Sequence, residues 1–298
     1  MDFLRLLEGI RNPVLDSFFQ WITYFGQEIC ILAVICLFYW CLDKKFAYRL
    51  GFIYFSAGLC IQTLKITFRI PRPWILDPEF HPVTSAVPAA TGYSFPSGHT
   101  QGGTCLFVPL ALRSRKFWQK CLCILMFLAI GFSRMYLGVH TPKDVLTAMA
   151  VSLFFTAIIW KFGDSLLEEN RYTKMISVIL LILSCLTAFY ALLLFRQNII
   201  EVKYAADCCK AAGAGLGFAA GFYLERTYLN FCSRCRNVSH LFQRMTVGLL
   251  LTLALKLTLK FFLGDTLLME LLQHFFVVLF VMYGYPFLFT KMKKTPLQ

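Results

Sequence analysis

The stretch Ile176–Phe195, ISVILLILSCLTAFYALLLF, contains 20 residues and no charged side chain. A helix of about 20 apolar residues is long enough to cross the hydrocarbon core of a bilayer. The whole chain of 298 residues has the same character, because 58% of it is hydrophobic and 15% is charged. Inside a bilayer a helix satisfies all of its backbone hydrogen bonds internally. The composition therefore predicts an all-α fold, a polytopic membrane helical bundle.

Apolar segments of this kind recur along the chain and predict about nine transmembrane helices. They run approximately over Ile22–Leu42, Phe46–Leu64, Thr100–Leu112, Trp118–Leu137, Val145–Trp160, Ile176–Phe195, Ala205–Leu224, Met245–Leu263 and Leu267–Phe289. Residues 1–28 instead mix charged side chains with Phe and Leu and are interrupted near Asn12-Pro13. That mixture predicts an amphipathic N-terminal helix at the membrane interface and no cleavable signal peptide.

The loops between these segments differ in their basic content, which predicts the orientation of the chain. If the N-terminus is outside, more than half of the 29 Lys and Arg residues fall in inside loops, and every inside loop is basic. We therefore expect the N-terminus outside and the C-terminus inside. The basic residues of these loops also account for the net charge of +13. The expected partners are therefore membrane lipids, and no nucleic acid is expected. The sequence carries no prediction of an oligomeric state.

Two polar stretches interrupt the apolar pattern, residues 65–99 and Ser133–Asp144. The first begins KITFRIPRP and ends PSGH, and the second reads SRMYLGVHTPKD. Between them the predicted chain crosses the membrane twice, so both stretches lie on the same, outer side. A hairpin of two helices would bring their polar side chains together.

The residues that would meet there are suited to bind a phosphate or a similar tetrahedral oxyanion. Guanidinium groups fit phosphate oxygens, and a Lys adds a point charge. A Gly lets the backbone N–H approach closely, and a helix starting near His99 would direct its N-terminal dipole at an anion. The predicted phosphate-binding residues are Lys65, Arg72, Ser97, Gly98 and Arg134.

Two histidines accompany this predicted anion site. His140 is followed four residues later by Asp144, and on a helical turn such a carboxylate can hold the imidazole N–H. His99 would approach from the other polar stretch. One imidazole would attack phosphorus while the other protonates the leaving oxygen. No carboxylate cluster suited to Mg²⁺ accompanies them, so neither a metal nor a cofactor is predicted.

Together these blocks resemble the phosphatidic acid phosphatase type 2 superfamily, which also includes vanadium haloperoxidases and glucose-6-phosphatase. The pattern of that family is KxxxxxxRP, then PSGH, then SRxxxxxHxxxD. Here the blocks are Lys65–Pro73, Pro96–His99 and Ser133–Asp144, with all eleven fixed identities in order. Three blocks in register are more specific than one short motif. The resemblance covers about residues 20–162.

The resemblance implies a role for each of these residues. His140 would be the nucleophile that forms a phosphohistidine, Asp144 would orient it, and His99 would be the general acid. The phosphate oxygens would be held by Lys65, Arg72, Ser97, Gly98 and Arg134. The implied function is an integral membrane phosphatase, acting at the extracytoplasmic face of the cell membrane on lipid phosphomonoesters or diphosphates. Phosphatidate, phosphatidylglycerophosphate, isoprenoid diphosphates and sphingoid phosphates are substrates of this type.

Three other functions remain compatible with a phosphate site. They are a phosphatase for a soluble sugar phosphate, a lipid phosphotransferase and a phosphate-binding transporter without enzymatic activity. Intact His99, His140 and Asp144 argue against the transporter, since binding alone requires no nucleophile and carboxylate pair. Residues 1–162 are expected to form the catalytic membrane core with the N-terminal helix. Residues 163–298 are expected to add C-terminal transmembrane helices, with no role assigned.

Two lysines in the eighth segment, Lys256 and Lys260, share one face of the predicted helix. Under one interpretation they snorkel toward the outer interface. Under the other they face the bundle and meet an acidic partner or a second substrate phosphate.

Overall fold

The computed structural model describes residues 1–292, and within these residues the protein consists of helices and connecting loops, without a β-strand. The α-helices are α1 (Asp2–Gly9), α2 (Pro13–Tyr24), α3 (Glu28–Leu37), α4 (Lys44–Phe68), α5 (Pro73–Leu76), α6 (Gly98–Arg113), α7 (Phe117–Tyr136), α8 (Pro142–Glu168), α9 (Asn170–Arg196), α10 (Val202–Leu224), α11 (Val238–Leu263), α12 (Leu267–Leu279) and α13 (Tyr285–Met292). π-Helical turns continue α3, α10 and α12 at Phe38–Leu42, Glu225–Leu229 and Phe280–Gly284. The predicted all-α fold is confirmed.

Six helical stretches are long and apolar enough to cross a membrane. They are Lys44–Leu76, Phe117–Tyr136, Pro142–Leu167, Arg171–Arg196, Val238–Leu263 and Leu267–Lys291. The helices α2 and α3, bent by 43° at the break between them, would count as a seventh span. The two remaining predicted segments fall in α6, which has 16 residues, and in α10, which carries Lys203, Asp207 and Lys210. A helical membrane fold is therefore confirmed, while the total of nine spans stays a prediction.

The chain divides into two compact units. The first consists of Met1–Ala33 and Cys60–Trp160, and the second of Val34–Leu59 and Lys161–Gln298. The longer segment of the second unit begins at Lys161, close to the predicted domain boundary after residue 162. The second unit also includes Val34–Leu59, from the N-terminal part of the chain. The assignment of a catalytic core to residues 1–162 stays a prediction.

In the first unit the N-terminal helices are fixed to the rest of the unit by specific contacts. The rings of Phe19 and Tyr136 lie 4.4 Å apart, and the Tyr136 hydroxyl donates to Asp16 at 3.0 Å. From α1, Arg5 forms a 2.6 Å ion pair with Asp77 in the loop after α5. The helix α2 is thereby held against α7. Placement of these helices at a membrane interface stays a prediction.

In the second unit glycines bring α10 and α12 into close contact. A Cβ added to Gly213 would lie 2.1 Å from the carbonyl oxygen of Leu271. A Cβ added to Gly217 would lie 2.4 Å from that of Phe275. Small residues at such positions are typical of helix packing in membranes, where backbones approach closely.

The second unit also contains a buried carboxylate, Glu225, at the start of the π-helical turn after α10. Its side chain is fully buried, and Oε1 accepts from Lys44 Nζ at 2.8 Å and from the backbone N–H of Phe231 at 3.1 Å. Oε2 accepts from the hydroxyl of Tyr48. Lys44 Nζ also donates to Asn230 Oδ1 at 2.8 Å. Every oxygen of this carboxylate therefore has a partner.

The two lysines of α11 lie on its exposed face. Lys256 and Lys260 are both exposed, and Lys260 Nζ lies 4.0 Å from Asp265. This agrees with snorkelling and not with a face turned into the helix bundle.

Candidate active site

The first sequence block lies where α4 ends. α4 ends at Phe68, and Pro71 and Pro73 disfavour its continuation. Lys65 lies in the last turn of α4. Its Nζ is 3.9 Å from the position of a Cβ built on Gly98. The amino group therefore faces the second block.

Arg72 is buried, and backbone carbonyls hold its guanidinium. Nε donates to Gly92 O at 2.8 Å and Nη1 donates to Val139 O at 2.9 Å. The same Nη1 lies 2.9 Å from Nε2 of His140. A guanidinium only donates hydrogen bonds, so Nε2 is the acceptor and carries the imidazole lone pair.

The third block places His140 beside Asp144. His140 lies in the turn before α8, which begins at Pro142, and its Nδ1 is 3.4 Å from Asp144 Oδ2. The same oxygen accepts from the backbone N–H of Thr141 at 2.8 Å and from the Ser94 hydroxyl at 2.5 Å. The carboxylate is thus fixed where it meets the Nδ1 proton. The predicted i, i+4 pair is present, although its first member precedes the helix.

The environment of His140 favours the neutral imidazole. Burial lowers its pKa well below the usual 6.5, and the positive charges of Arg72, Arg134 and Lys65 lower the pKa further. Asp144 is the only acidic member of the eight predicted site residues. A neutral imidazole with its lone pair on Nε2 is the form that attacks phosphorus.

The second block forms the N-terminus of α6. Ser97 is the N-cap, and its hydroxyl oxygen accepts from Thr100 N at 3.4 Å and from Thr100 Oγ1 at 2.9 Å. Accepting both bonds leaves its own proton able to donate to an anion. The backbone N–H of Ser97 donates to Asp144 O at 3.1 Å, which joins the second block to the third. His99 follows in the first turn, and its buried Nε2 has no hydrogen-bond partner among the described residues.

Arg134 occupies the last turn of α7 and is 1% exposed. Its Nη1 donates to Thr23 Oγ1 at 2.9 Å. Its Nε and Nη2 are buried, and the described part of the chain offers them no hydrogen-bond partner. Nε and Nη2 form one edge of the guanidinium, which is the edge that binds a phosphate with two parallel hydrogen bonds. A buried donor without a partner costs about 1–3 kcal/mol, so this edge is suited to an anionic ligand.

The turn after α7 returns the chain from Arg134 to His140. Gly138 has a φ of +77°, a backbone conformation that costs little only for glycine. The backbone N–H groups of Val139 and His140 both donate to Arg134 O, at 3.1 and 3.2 Å. This tight turn brings the third block's arginine and histidine to one end of the α6–α7 hairpin.

All eight predicted residues lie in the first unit, and the structure joins the three blocks by the contacts above. Sequence reasoning missed two residues that hold this arrangement, Thr23 and Ser94. Ser94 lies three residues before Ser97, close enough to the second block to have been considered. Thr23 is 111 positions from Arg134, and no spacing signal links the two.

Within residues 1–292, no group of three or more His, Cys, Asp and Glu side chains is arranged to hold a metal ion. A metal-free reaction remains a prediction, to be tested by experiment.

Comparison with known proteins gives two matches to family models. The model of the PAP2 superfamily matches residues 46–168, which include all eight predicted site residues. A second model, described as PAP2 superfamily phosphatase, transmembrane extension, matches residues 209–296. The helices after the third sequence block therefore also resemble a known part of this superfamily. The sequence resemblance described above covered only about residues 20–162.

Two individual relatives agree with these matches. Undecaprenyl-diphosphatase BcrC of Bacillus subtilis is 33% identical over 171 residues, covering 55% of this chain and 84% of BcrC. Sphingosine-1-phosphate phosphatase 2 of Mus musculus is 23% identical over 240 residues, covering 75% of this chain and 64% of the mouse protein. The crystal structure of Aquifex aeolicus LpxE is 28% identical, covers 54% of this chain and 93% of LpxE, and has a TM-score of 0.48. The chain belongs to the PAP2 superfamily.

Proposed function

We propose that this membrane phosphatase hydrolyses phosphomonoesters or diphosphates of lipids through a phosphohistidine formed on His140. The observation that carries the proposal is a set of buried nitrogens to which residues 1–292 offer no hydrogen-bond partner, Nε and Nη2 of Arg134 and Nε2 of His99. The oxygens of a phosphate would satisfy these nitrogens, and an anion is the ligand that best suits the buried guanidinium edge of Arg134. The adjacent neutral imidazole of His140 supplies a nucleophile for the bound phosphate.

In the first step His140 Nε2 attacks phosphorus and the bond to the leaving oxygen breaks. His99 donates a proton to that oxygen, and Asp144 stabilises the positive charge that develops on His140. Arg72 now donates to Nε2, so it must exchange this contact for a phosphate oxygen before attack. The developing charge would be stabilised by Lys65, Arg72, Ser97, Gly98 and Arg134.

In the second step water attacks the phosphohistidine. The deprotonated His99 accepts a proton from water as the new P–O bond forms and the N–P bond breaks. Inorganic phosphate leaves, and His140 returns to its neutral form. His99 thus loses and regains a proton, His140 gains and loses the phosphoryl group, and both are restored within one turnover.

We further propose nine spans with the N-terminus outside and the C-terminus inside, and a site at the extracytoplasmic face of the cell membrane. The proposal rests on the basic residues of the inside loops. The α6–α7 hairpin supports it, since Gly98 begins one helix and Arg134 lies in the last turn of the other. Residues 1–162 would form the catalytic core, and residues 163–298 would add C-terminal helices.

A lipid substrate is favoured over a soluble sugar phosphate by the relatives and by the exposed surface. BcrC and the mouse protein are both named for phosphorylated lipids. In the first unit, Leu6, Val14 and Trp21 of α1 and α2 are 71%, 77% and 69% exposed. Such an apolar surface would contact acyl or isoprenoid chains in the bilayer.

The direct test is phosphate release by the purified protein in lipid nanodiscs. The substrates are phosphatidate, phosphatidylglycerophosphate, undecaprenyl diphosphate, sphingosine 1-phosphate and glucose 6-phosphate. We expect turnover of at least one lipid, with full activity in EDTA. Preference for glucose 6-phosphate, or transfer of phosphate to an acceptor in place of water, would overturn the lipid hydrolase. A strict Mg²⁺ requirement would overturn the metal-free mechanism.

A further inference from the structure

The end of α2 and the turn after it lie against two residues of the active site, although this segment precedes the residues 46–168 that match the PAP2 model. Thr23 Oγ1 accepts from Arg134 Nη1 at 2.9 Å. A Cβ built on Gly26 would lie 2.7 Å from the carbonyl oxygen of His99. Gly26 therefore allows the turn to approach the start of α6 more closely than any other residue would.

Thr23 is the one hydrogen-bond acceptor that the described residues offer to the Arg134 side chain. A guanidinium is planar and rigid, so fixing Nη1 also fixes the direction of the opposite edge. That edge consists of Nε and Nη2, two buried donors for which the described part of the chain provides no partner. The threonine hydroxyl thus determines which way the phosphate-binding edge points.

The hydroxyl of Thr23 is itself held in place. Thr23 is 1% exposed, and α2 begins at a capped N-terminus, where the Asn12 side chain accepts from Leu15 N at 3.0 Å. The Asp16 carboxylate and the Phe19 ring both contact Tyr136 on α7, two residues beyond Arg134. The helix that carries the acceptor is therefore fixed to the helix that carries the guanidinium.

We propose that Thr23 is a positioning residue that orients Arg134 for bidentate binding of the transferred phosphoryl group. This proposal rests on the proposed function, because Arg134 must bind phosphate for its orientation to matter. Interactions that align a transition-state donor affect kcat more than KM. Misplacement of such a group by about 1 Å costs about 100-fold in rate.

The experiment compares Thr23→Val, which keeps the shape and removes the acceptor, with Thr23→Ser, which keeps the hydroxyl. Thr156→Val is the matched control, since Thr156 is 2% exposed and its hydroxyl donates to Ser152 O within α8 at 2.8 Å. The measurements are kcat and KM on the lipid phosphate that the wild type hydrolyses best, inhibition by vanadate, and the thermal unfolding temperature.

We expect Thr23→Val to lower kcat by about 10- to 100-fold and to weaken vanadate inhibition by a similar factor. Thr23→Ser should remain within about threefold of wild type, and Thr156→Val should match wild type in both measurements. The proposal is overturned if Thr23→Val behaves like Thr156→Val, or if Thr23→Ser is as defective as Thr23→Val. If Thr23→Val does not fold, Thr23→Ala removes the same hydroxyl and takes its place in the comparison.

The two proposals fail in different ways. A wild-type protein that hydrolyses none of the lipid phosphates overturns the proposed function, whatever Thr23 does. An active wild type with an unaffected Thr23→Val overturns only the positioning role.

Discussion

Two buried clusters of charged side chains, one in each unit, differ in how completely their hydrogen bonds are formed. In the second unit Glu225 is fully buried, and both of its oxygens accept hydrogen bonds from Lys44, Tyr48 and the Phe231 backbone. In the first unit Arg134 is equally buried, yet two of its three nitrogens have no partner among the described residues. Both clusters remove charge from water, but only the Glu225 cluster compensates for it with internal hydrogen bonds.

The difference separates a structural role from a binding role. Buried polar groups in proteins are nearly always hydrogen-bonded. A cluster in which every polar atom has a partner therefore needs no ligand, whereas buried donors without a partner require an explanation. At Arg134 a phosphate provides that explanation, because its oxygens match the free guanidinium edge. The comparison predicts that variants of the Arg134 cluster impair chemistry and variants of the Glu225 cluster impair stability.

The largest effect is expected from His140→Ala. Removing a nucleophile whose lone pair is already oriented should reduce kcat by about 10⁴-fold or more. His81→Ala is the control, since the His81 side chain is 81% exposed and should leave kcat unchanged. Phosphate release and size-exclusion profiles would be measured for both. Turnover that survives in a folded His140→Ala protein would rule out phosphohistidine at this position.

Arg134→Gln is expected to have the next largest effect. Losing one preorganised donor group at a transition state costs about 10²- to 10³-fold in kcat. The substitution also removes a buried charge whose own partners are incomplete, so the unfolding temperature should fall little. Arg115→Gln, at an exposed position in the loop after α6, serves as the control in the same assays. A variant that unfolds with undiminished kcat would place Arg134 with the structural cluster.

Glu225→Ala should show the opposite behaviour. It leaves the partly buried Lys44 ammonium without its carboxylate partner, and breaking a buried ion pair costs about 3–5 kcal/mol of stability. The kcat of the remaining folded protein should be that of wild type. Thermal unfolding in nanodiscs and active-fraction titration with vanadate separate the two quantities. A lowered kcat at full stability would contradict the structural assignment of this cluster.

The two clusters also differ in how visible they are in the sequence. Three spaced blocks identify the eight predicted site residues, because phosphoryl chemistry fixes their types and short-range spacing. The role of Thr23 could not be predicted from the sequence, because its partner Arg134 is 111 positions away. A threonine in an apolar segment also has no distinctive chemistry. The burial of Glu225 could not be predicted either, because a carboxylate near a basic loop is expected to be solvated.

The helical membrane fold was predicted and is confirmed, whereas the total of nine spans stays a prediction. Long uncharged segments such as the one in α9 are unambiguous. The short α6, with 16 residues, begins inside the candidate site, so its sequence serves binding as well as membrane crossing. Apolar content alone therefore cannot decide how that helix is placed in the bilayer.

A smaller effect is expected from pH through His140. Its pKa in the folded protein lies below 6.5 because of burial and neighbouring cations, so the unfolded chain takes up this proton at a higher pH than the folded one. His140 therefore costs no stability above pH 6.5, and stability should fall as the pH drops below 6.5. Comparing the unfolding temperatures of wild type and His140→Asn from pH 7.5 to 5.5 isolates this contribution. Parallel curves for the two proteins would contradict the lowered pKa.

The smallest effect is expected from Lys260→Gln. Lys260 and Asp265 lie 4.0 Å apart with side chains 64% and 69% exposed, and exposed ion pairs contribute about 0–1 kcal/mol. Neither kcat nor the unfolding temperature should change measurably, and added salt should not alter the result. A marked loss of activity would show that this lysine contacts substrate or an anionic lipid. Exposure would then be a poor guide to function in this chain. The comparison between the Glu225 and Arg134 clusters would have to be extended to exposed lysines on lipid-facing helices.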